Sequence, residues 1–291
     1  MARDVVPTEA AIRRAYELAG PCRICPRNCG VDRMADEVAF CGVGAMPLVA
    51  SAGPHFGEEP VLVGRGGSGT IFLGGCNLGC VFCQNFTISH GREGDPVPPA
   101  YIARMMMRLA AMGCENINFV TPTHVAPWLM EAVRLARLEG LSVPIVYNCG
   151  GYEHVETLGL LEGTVDVYMP DAKYWDPGQA ARFSGAPDYP QVMRVALLEM
   201  QRQVGDLRVE DGVARRGLLI RHLVMPGGVA GSRQVLEFIA REVSPHAWVN
   251  VMDQYRPAYR AKEHPEIARP ITTAEFREAY DCAASLGLNL F

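Results

Sequence analysis

The sequence lacks any apolar stretch that approaches the ~20 residues a helix needs to cross a bilayer, although 49% of its 291 residues are hydrophobic. A membrane-spanning protein or a membrane partner is therefore not expected. An excess of basic charge is also missing, since 27 Lys and Arg face 32 Asp and Glu, for a net charge of −5. Without a basic field to attract phosphates, nucleic-acid binding is disfavoured.

Features of a secretory signal peptide are missing as well from the opening MARDVVPTEA. Ten cysteines in such a chain predict reduced thiols used for metal or redox chemistry, not secreted disulfides, and hence a cytoplasmic location. The glycine-rich run at residues 64–69 has no Lys-Ser/Thr ending and precedes no helical pattern. A phosphate-binding loop is therefore not expected there.

From about residue 70 onward, short apolar runs alternate with longer segments of helical period. This alternation predicts strands covered on both faces in a parallel sheet. The six predicted strands are Thr70–Leu73, Ile117–Thr121, Pro144–Asn148, Val165–Asp171, Leu218–Pro226 and Trp248–Tyr255. The predicted helices are Pro99–Ala111, Pro127–Leu138, a short one near His154–Leu161, Pro190–Val204, Ser232–Glu242 and Thr273–Leu286.

Proline and glycine follow most of these strands, which places the neighbouring polar residues in loops. In an α/β barrel the loops after the strands build the active site, so these polar residues are candidates for chemistry. Six units fall short of the eight that close a barrel. Residues 1–63 do not follow the pattern and are expected to form a small cysteine-rich extension with a helix near Thr8–Leu18, leaving residues 64–291 for the barrel.

The sequence CNLGCVFC, residues 76–83, follows the first predicted strand and has C-x3-C-x2-C spacing. Three thiolates interleaved with Asn and Gly can bind three irons of a cubane 4Fe-4S cluster and leave the fourth iron open to a substrate. Two alternatives remain open at this point. One is a set of buried structural cysteines, and the other is a zinc site completed by His90.

This cysteine spacing, with an aromatic residue before the last cysteine, resembles the signature of the radical S-adenosylmethionine (SAM) superfamily. The fold of that superfamily, a partial (β/α)6 TIM-like barrel, agrees with the six strand-helix units. Further similarity points to the branch related to pyruvate formate-lyase activating enzyme. The shared segments are GCN at 75–77, FCQN at 82–85, NFVTPTH at 118–124, YN at 147–148, DAKY at 171–174 and CPRNCGV at 25–31.

The resemblance implies that Cys76, Cys80 and Cys83 ligate a 4Fe-4S cluster whose fourth iron chelates the amino and carboxylate groups of SAM. An electron from a small protein such as flavodoxin or ferredoxin would cleave the sulfonium, and the 5′-deoxyadenosyl radical would abstract hydrogen from a substrate. Phe82 would lie near the adenine. The alternative for Phe82 is an aromatic residue packed in the core.

After the second predicted strand, many relatives carry Gly-Gly-Glu, whose acid holds the methionine amino group. This chain has Thr121-Pro122-Thr123-His124 instead. The hydroxyls of Thr121 and Thr123 and the imidazole of His124 are expected to accept hydrogen bonds from that amino group, without the charge of a carboxylate. Alternatively, Thr123 caps the next helix and His124 is a loop residue.

Further cofactor contacts are expected at the ends of the later strands. Asn148 ends the third strand, and Asp171 and Lys173 end the fourth; the resemblance implies that the acid and the lysine contact the carboxylate and ribose of SAM. A salt bridge without function is the alternative for that pair. Either His222 or the arginine before it should face the barrel interior. Gln254, at the end of the sixth strand, is expected to border the cavity.

Four more thiols, those of Cys22, Cys25, Cys29 and Cys41, lie within twenty residues of one another near the start of the chain. Four soft ligands predict a second metal site. Zinc and a further iron-sulfur cluster fit this spacing equally.

Two classes of function follow. The first is a radical enzyme, which the resemblance makes an oxidoreductase of the activating-enzyme type that takes hydrogen from a glycyl-radical-enzyme partner, with a small molecule as the alternative substrate. The second is a non-catalytic iron-sulfur or zinc protein. The three-thiol motif favours catalysis, because cubanes used only for electron transfer normally have four cysteine ligands.

Overall fold

A computed structural model describes residues 6–291, in which strands and helices alternate along most of the chain. The strands are β1 Leu48–His55, β2 Ser68–Leu73, β3 Asp95–Pro96, β4 Ile117–Val120, β5 Ile145–Cys149, β6 Val167–Pro170, β7 Arg208–Glu210, β8 Val213–Leu223, β9 Trp248–Met252 and β10 Asn289–Leu290. The α-helices are α1 Glu9–Glu17, α2 Pro60–Val63, α3 Phe86–Ser89, α4 Pro99–Ala111, α5 Ala126–Leu138, α6 Val155–Leu161, α7 Pro177–Ser184, α8 Tyr189–Val204, α9 Ser232–Phe238 and α10 Thr273–Ser285. A π-helical turn, Ile239–Val243, continues α9.

The strands form one open sheet in the order β10-β9-β8-β6-β5-β4-β2-β1-β3, and β7 pairs with β8. From β2 to β10 along this order the neighbours run parallel, whereas β1 runs antiparallel to β2. Every residue of β5 and β6 is buried. Parallel strands covered on both faces are expected to be apolar along their whole length, which is why uninterrupted apolar runs predict them.

The short helix α2 closes the end of the barrel where the parallel strands begin. Leu62 of α2 packs with Val146, Val167 and Leu219 in an apolar cluster. The side chain of Asn116, which directly precedes β4, donates a hydrogen bond to the carbonyl oxygen of Leu62 over 2.7 Å. The predicted site residues at the strand ends lie at the opposite end of the barrel, hereafter the polar end, where β5 and β6 finish.

The amino-terminal segment packs on the loops at that polar end. Thr157 Oγ1 donates to the carbonyl oxygen of Ile24 over 2.7 Å. Gly75, with a φ of 80°, lies so close to this segment that an added Cβ would stand 2.5 Å from the carbonyl oxygen of Cys41. Only glycine tolerates both the backbone conformation and the close approach.

The predicted α/β fold with an open, partial barrel is confirmed. All six predicted strands and all seven predicted helices, including the one near Thr8–Leu18, are present. Sequence analysis missed β1, whose exposed positions and Gly53-Pro54 end weaken its pattern. Because β1 lies within residues 1–63 and pairs along β2, the cysteine-rich region adds a strand to the barrel sheet. The boundary at residue 63 stays a prediction. No helix in residues 6–291 is long and apolar enough to span a bilayer.

Candidate active site

The loop after β2, residues 74–83 and hereafter the thiol loop, carries three cysteines at the polar end of the barrel. Each of their sulfur atoms has a hydrogen-bonding neighbour. Leu78 N donates to Cys76 Sγ over 3.3 Å, Cys80 Sγ lies 3.0 Å from Ser184 Oγ, and Cys83 Sγ lies 3.1 Å from Ser89 Oγ. Hydrogen bonds of this kind support and tune metal-bound thiolates. Three soft sulfur donors with such support fit an iron-sulfur cluster.

The surroundings of these thiols oppose their ionisation when no metal is bound. Burial raises the pKa of Cys76 and of Cys80, because a charge is unfavourable away from water. The ammonium group of Lys173 lowers the pKa of both thiols and only partly offsets burial. A bound cationic centre would supply the positive charge that thiolates need here.

Asp171 joins two cations at the carboxyl ends of β6 and β8. Its Oδ1 accepts from Arg221 Nε over 2.8 Å, and its Oδ2 accepts from the ammonium of Lys173. Arg221 also donates to Asn148 Oδ1 over 2.7 Å. Burial disfavours the charged form of Asp171, yet the charges of Arg221 and Lys173 outweigh it and lower the pKa of the carboxyl. The three sequence-predicted residues Asn148, Asp171 and Lys173 thus lie together, and Arg221 joins them.

Two carboxylates reach this network from the segment just before α2. Glu58 Oε2 lies 4.0 Å from Arg221 Nη1, and Glu59 Oε1 accepts from Asn250 Nδ2 over 3.1 Å. Burial raises the pKa of Glu58, and the charge of Arg221 reduces that effect. The sequence leaves two interpretations of this acidic pair, an approach to the active site or a solvated loop, and favours the first; the contact of Glu58 with Arg221 agrees with it.

The segment after β4 directs most of its polar groups into the protein. Thr123 Oγ1 donates to Glu153 Oε1 over 2.6 Å, and both side chains are buried. His124 is buried as well, with Nε2 2.9 Å from the carbonyl oxygen of Gly74, and burial lowers its pKa to about 3. Thr121 remains partly exposed and has a φ of 61°. Thr123 and His124 therefore hold the loop from inside, whereas Thr121 keeps contact with solvent.

Glu153 was not singled out from sequence. Besides Thr123, the hydroxyl of Tyr147 donates to it, to Oε2 over 3.2 Å. Burial raises the pKa of Glu153 to about 7, while hydrogen bonds from Thr123, Cys149 and Tyr147 act in the opposite direction. The signal available in the sequence was a lone carboxylate in the loop after the third predicted strand, and no motif marks it.

Phe82 packs among other aromatic rings. Its ring centroid lies 6.4 Å from that of Tyr174 and 5.9 Å from that of Tyr255, and the side chain is buried. These contacts match the core-packing alternative.

His222 and Gln254 lie apart from the Asp171 network. His222 is fully buried, with Nδ1 2.7 Å from the carbonyl oxygen of Ala172 and Nε2 2.9 Å from Ser232 Oγ. The side chain that faces the network from β8 is thus Arg221, the neighbour of His222. Gln254 is exposed, and its Nε2 lies 2.9 Å from Met252 Sδ.

His90, the fourth ligand of the alternative zinc site, is engaged elsewhere. Its ring stacks on Tyr259 with centroids 4.5 Å apart, and its Nε2 lies 3.1 Å from the carbonyl oxygen of Cys80. Across residues 6–291, no three or more His, Cys, Asp or Glu side chains are drawn together closely enough to hold a single metal ion.

The four amino-terminal thiols surround one small cavity of about 10 Å³ next to the thiol loop. They are Cys22, Cys25, Cys29 and Cys41, and Asn77 and His124 complete part of the wall. Burial raises the pKa of Cys25 to about 12, and the other three thiols affect it electrostatically. The four cysteines therefore line one cavity but do not stand within ligating distance of a single ion, and the metal they would bind stays a prediction.

Comparisons with known proteins agree with this architecture. Residues 70–209 match the family described as the radical SAM superfamily. An uncharacterized protein of Methanocaldococcus jannaschii is 33% identical over 279 residues, which cover 92% of this chain and 76% of that protein.

The fold is also similar to the crystal structure of a radical SAM methyltransferase from Sphaerobacter thermophilus, with a TM-score of 0.51 and 15% identity. The similar region covers 76% of this chain but 65% of that one, just under two thirds of its length. Because the family match spans the loops that carry the three-thiol motif, we conclude that residues 70–209 form a domain of the radical SAM superfamily.

Proposed function

We propose that this protein is a radical SAM enzyme in which Cys76, Cys80 and Cys83 hold a 4Fe-4S cluster. The observation that supports this most strongly is the thiol loop itself, in which all three sulfurs have hydrogen-bonding neighbours and the charge of Lys173 acts on Cys76 and Cys80. When bound, the cluster and SAM would supply the 5′-deoxyadenosyl radical that abstracts hydrogen from a substrate.

The Asp171 network suits the methionine end of SAM. Lys173 and Arg221 keep N–H groups beyond those that bind Asp171 and Asn148, and these donors can bind the carboxylate of SAM. Asn148 fixes the guanidinium of Arg221 through its Oδ1. We propose that the hydroxyl of Thr121, in the loop after β4, contacts the amino group of SAM directly.

The other predicted cofactor residues receive supporting roles in this proposal. Thr123 and His124 hold the loop after β4 through Glu153 and Gly74. His222 ties the segment between Asp171 and Lys173 to α9 through Ala172 and Ser232. Phe82 holds the thiol loop by packing on neighbouring aromatic rings, and we assign the exposed Gln254 to the border of the cavity.

For the reaction type we propose an oxidoreductase of the activating-enzyme kind, which takes a hydrogen atom from a glycine of a glycyl-radical-enzyme partner. The support is the resemblance of the thiol loop and of the DAKY segment to the branch of pyruvate formate-lyase activating enzyme. A flavodoxin or ferredoxin would supply the electron, in the cytoplasm. A free-radical signal in a co-expressed partner protein would support this reaction, and its persistent absence would count against it.

The test of the radical function is anaerobic reconstitution with iron and sulfide, followed by dithionite and SAM. Release of 5′-deoxyadenosine and the cluster EPR signal are measured for wild type, for Cys80→Ala and for Cys282→Ala, whose half-buried thiol lies on α10. We expect wild type and Cys282→Ala to release 5′-deoxyadenosine and Cys80→Ala to release none. Equal release by Cys80→Ala would contradict the proposal, as would a wild-type EPR signal that does not change when SAM is added.

A further inference from the structure

The cavity between the four amino-terminal thiols is lined by atoms that offer lone pairs. Two residues of its wall, Asn77 and His124, each have a buried atom without a hydrogen-bond partner among residues 6–291. These atoms are Asn77 Oδ1 and His124 Nδ1. Because the Nε2 of His124 faces the carbonyl oxygen of Gly74, that nitrogen carries the proton and Nδ1 keeps its lone pair. A histidine whose other ring nitrogen donates to a backbone carbonyl is the usual arrangement beside a protein-bound metal.

A buried cation beside this cavity lacks an anionic partner. Arg33 is 1% exposed, and its guanidinium donates only to backbone carbonyls, to Gly44 over 3.0 and 3.2 Å and to His124. No carboxylate in the described part of the chain pairs with it. The guanidinium also lies 4.6 Å from the ring centroid of Trp128, a cation–π contact that compensates the charge only in part. Because a buried charge is unfavourable unless an opposite charge accompanies it, the site favours negative charge nearby.

A thiolate metal centre supplies that charge. Four thiolates around a divalent ion, or around an oxidised 4Fe-4S core, leave two negative charges in excess. Arg27 and Arg33 both line the cavity and provide two positive charges. The thiols and the two guanidinium groups are thus complementary to one kind of occupant, a metal centre bound by soft sulfur ligands.

The same residues connect the cavity to the thiol loop. Arg27 Nε donates to the carbonyl oxygen of Asn77 over 2.9 Å, and its Nη1 donates to that of Gly185 over 2.5 Å. The amide of Asn77 donates to the carbonyl oxygen of Tyr152 over 2.6 Å. Asn77 directly follows Cys76, so any shift of the cavity wall moves the first cysteine of the loop.

We propose that Cys22, Cys25, Cys29 and Cys41 bind a thiolate metal centre, a zinc ion or an iron-sulfur cluster, that fixes the thiol loop in place through Arg27 and Asn77. The binding of metal at these four thiols does not depend on the proposed radical function. The importance of a fixed thiol loop does rest on that function.

Metal analysis of a variant without the first cluster tests the binding. The triple variant Cys76→Ala/Cys80→Ala/Cys83→Ala is purified, and is also reconstituted with iron and sulfide. Retention of about one zinc or of about four iron and four sulfide per chain supports the proposal and identifies the metal. Absence of bound metal in the triple variant overturns it. Zinc alone in both wild type and the triple variant would contradict the radical function but would still support the second metal site.

Hydrogen exchange tests the effect on the thiol loop. Cys29→Ser removes one half-buried ligand, and Cys282→Ser is the matched control. We expect Cys29→Ser to lose the second metal and to exchange amides in residues 74–83 at least about tenfold faster, with β8 and the control unchanged. Loss of the metal without faster exchange in residues 74–83 would contradict the proposal that the metal centre fixes the thiol loop in place.

A second variant keeps this test decisive if Cys29→Ser unfolds the chain. Arg27→Met retains all four thiols and removes the hydrogen bond to Asn77. We expect it to retain metal, since Arg33 remains, and to show faster exchange confined to residues 74–83. Unchanged exchange in that loop overturns the link through Arg27.

Discussion

Arg221 Nε lies 2.8 Å from Asp171 Oδ1, so a residue of β8 is charge-paired with the residue that follows β6. Lys173 shares the same carboxylate. Asp171 is therefore the common partner of both cations, and each cation depends on it for its position. The side chains of Arg221 and Asp171 are 18% and 14% exposed, so the pair is sheltered but still open to a ligand.

Loss of Arg221 should weaken SAM binding. Arg221→Gln removes one of the two cations available to the carboxylate of SAM, and a charge-assisted hydrogen bond contributes about 1.5–3 kcal/mol. We expect the Kd for SAM, measured by anaerobic calorimetry on reconstituted protein, to rise at least about tenfold. Arg208→Gln, an exposed arginine on β7, is the control and should bind SAM as wild type does. An equal Kd for SAM in wild type and both variants would show that Arg221 does not contribute to SAM binding.

Glu153 should make the stability of the protein depend on pH. Its pKa is about 7 in the folded protein and about 4.3 in an unfolded chain, so the folded state binds the proton more tightly. This contribution is fully present below about pH 4.3, falls by about 3–4 kcal/mol as pH rises to about 7, and then stays constant.

Urea unfolding at pH 5 and pH 8 measures this slope. Glu153→Gln cannot ionise and should lose less free energy of unfolding between these two pH values than wild type does. Glu139→Gln, an exposed position at the end of α5, should keep the wild-type difference. The same pH slope in Glu153→Gln and wild type would show that the carboxyl does not titrate in this range.

Ser184 should influence the potential of the proposed cluster. Its Oγ lies 3.0 Å from Cys80 Sγ, and hydrogen bonds to cluster sulfurs stabilise the reduced, more negative state. Ser184→Ala should therefore shift the reduction potential to a more negative value in an EPR-monitored titration. Ser285→Ala, at the exposed end of α10, should leave it unchanged. A positive shift in Ser184→Ala would reverse the assigned role of that hydrogen bond.

Thr121 is held in a backbone conformation that favours glycine. Its φ is 61°, and a β-branched residue in the left-handed region is strained by about 1–3 kcal/mol. Thr121→Gly should raise the free energy of unfolding by about 1 kcal/mol and, because the hydroxyl is lost, weaken SAM binding. Thr87→Gly, on exposed α3, should lower stability instead. A gain in stability with unchanged SAM affinity would show that the strained Thr121 has no role in SAM binding.

The fold and the thiol loop were predictable because both depend on local pattern. Parallel strands such as β5 and β6 are buried along their whole length and therefore read as unbroken apolar runs. The three cysteines of the thiol loop lie within eight residues, so their spacing alone indicates a shared metal. Asp171 and Lys173 are likewise two residues apart on one strand end.

The remaining contacts depend on how distant segments meet. Arg221 reaches Asp171 because β8 lies next to β6 in the sheet, an order that residue patterns do not reveal. The pattern of β8 could not decide between Arg221 and His222, since apolar residues surround both. Thr123 and Glu153 are thirty residues apart and meet only after their two loops pack, so the inward turn of Thr123 has no sequence signal.

The contact between Arg27 and Gly185 joins residues separated by 158 positions. A ribosome that adds about 5–20 residues per second needs roughly 8–30 s to extend the chain from the first of these residues to the second. For much of that interval the cysteine-bearing segment of the nascent chain is outside the exit tunnel without the complete surface on which it later packs. Its four thiols are then open to solvent, so the time of synthesis is the period when they are easiest to load with metal and also most exposed to oxidants.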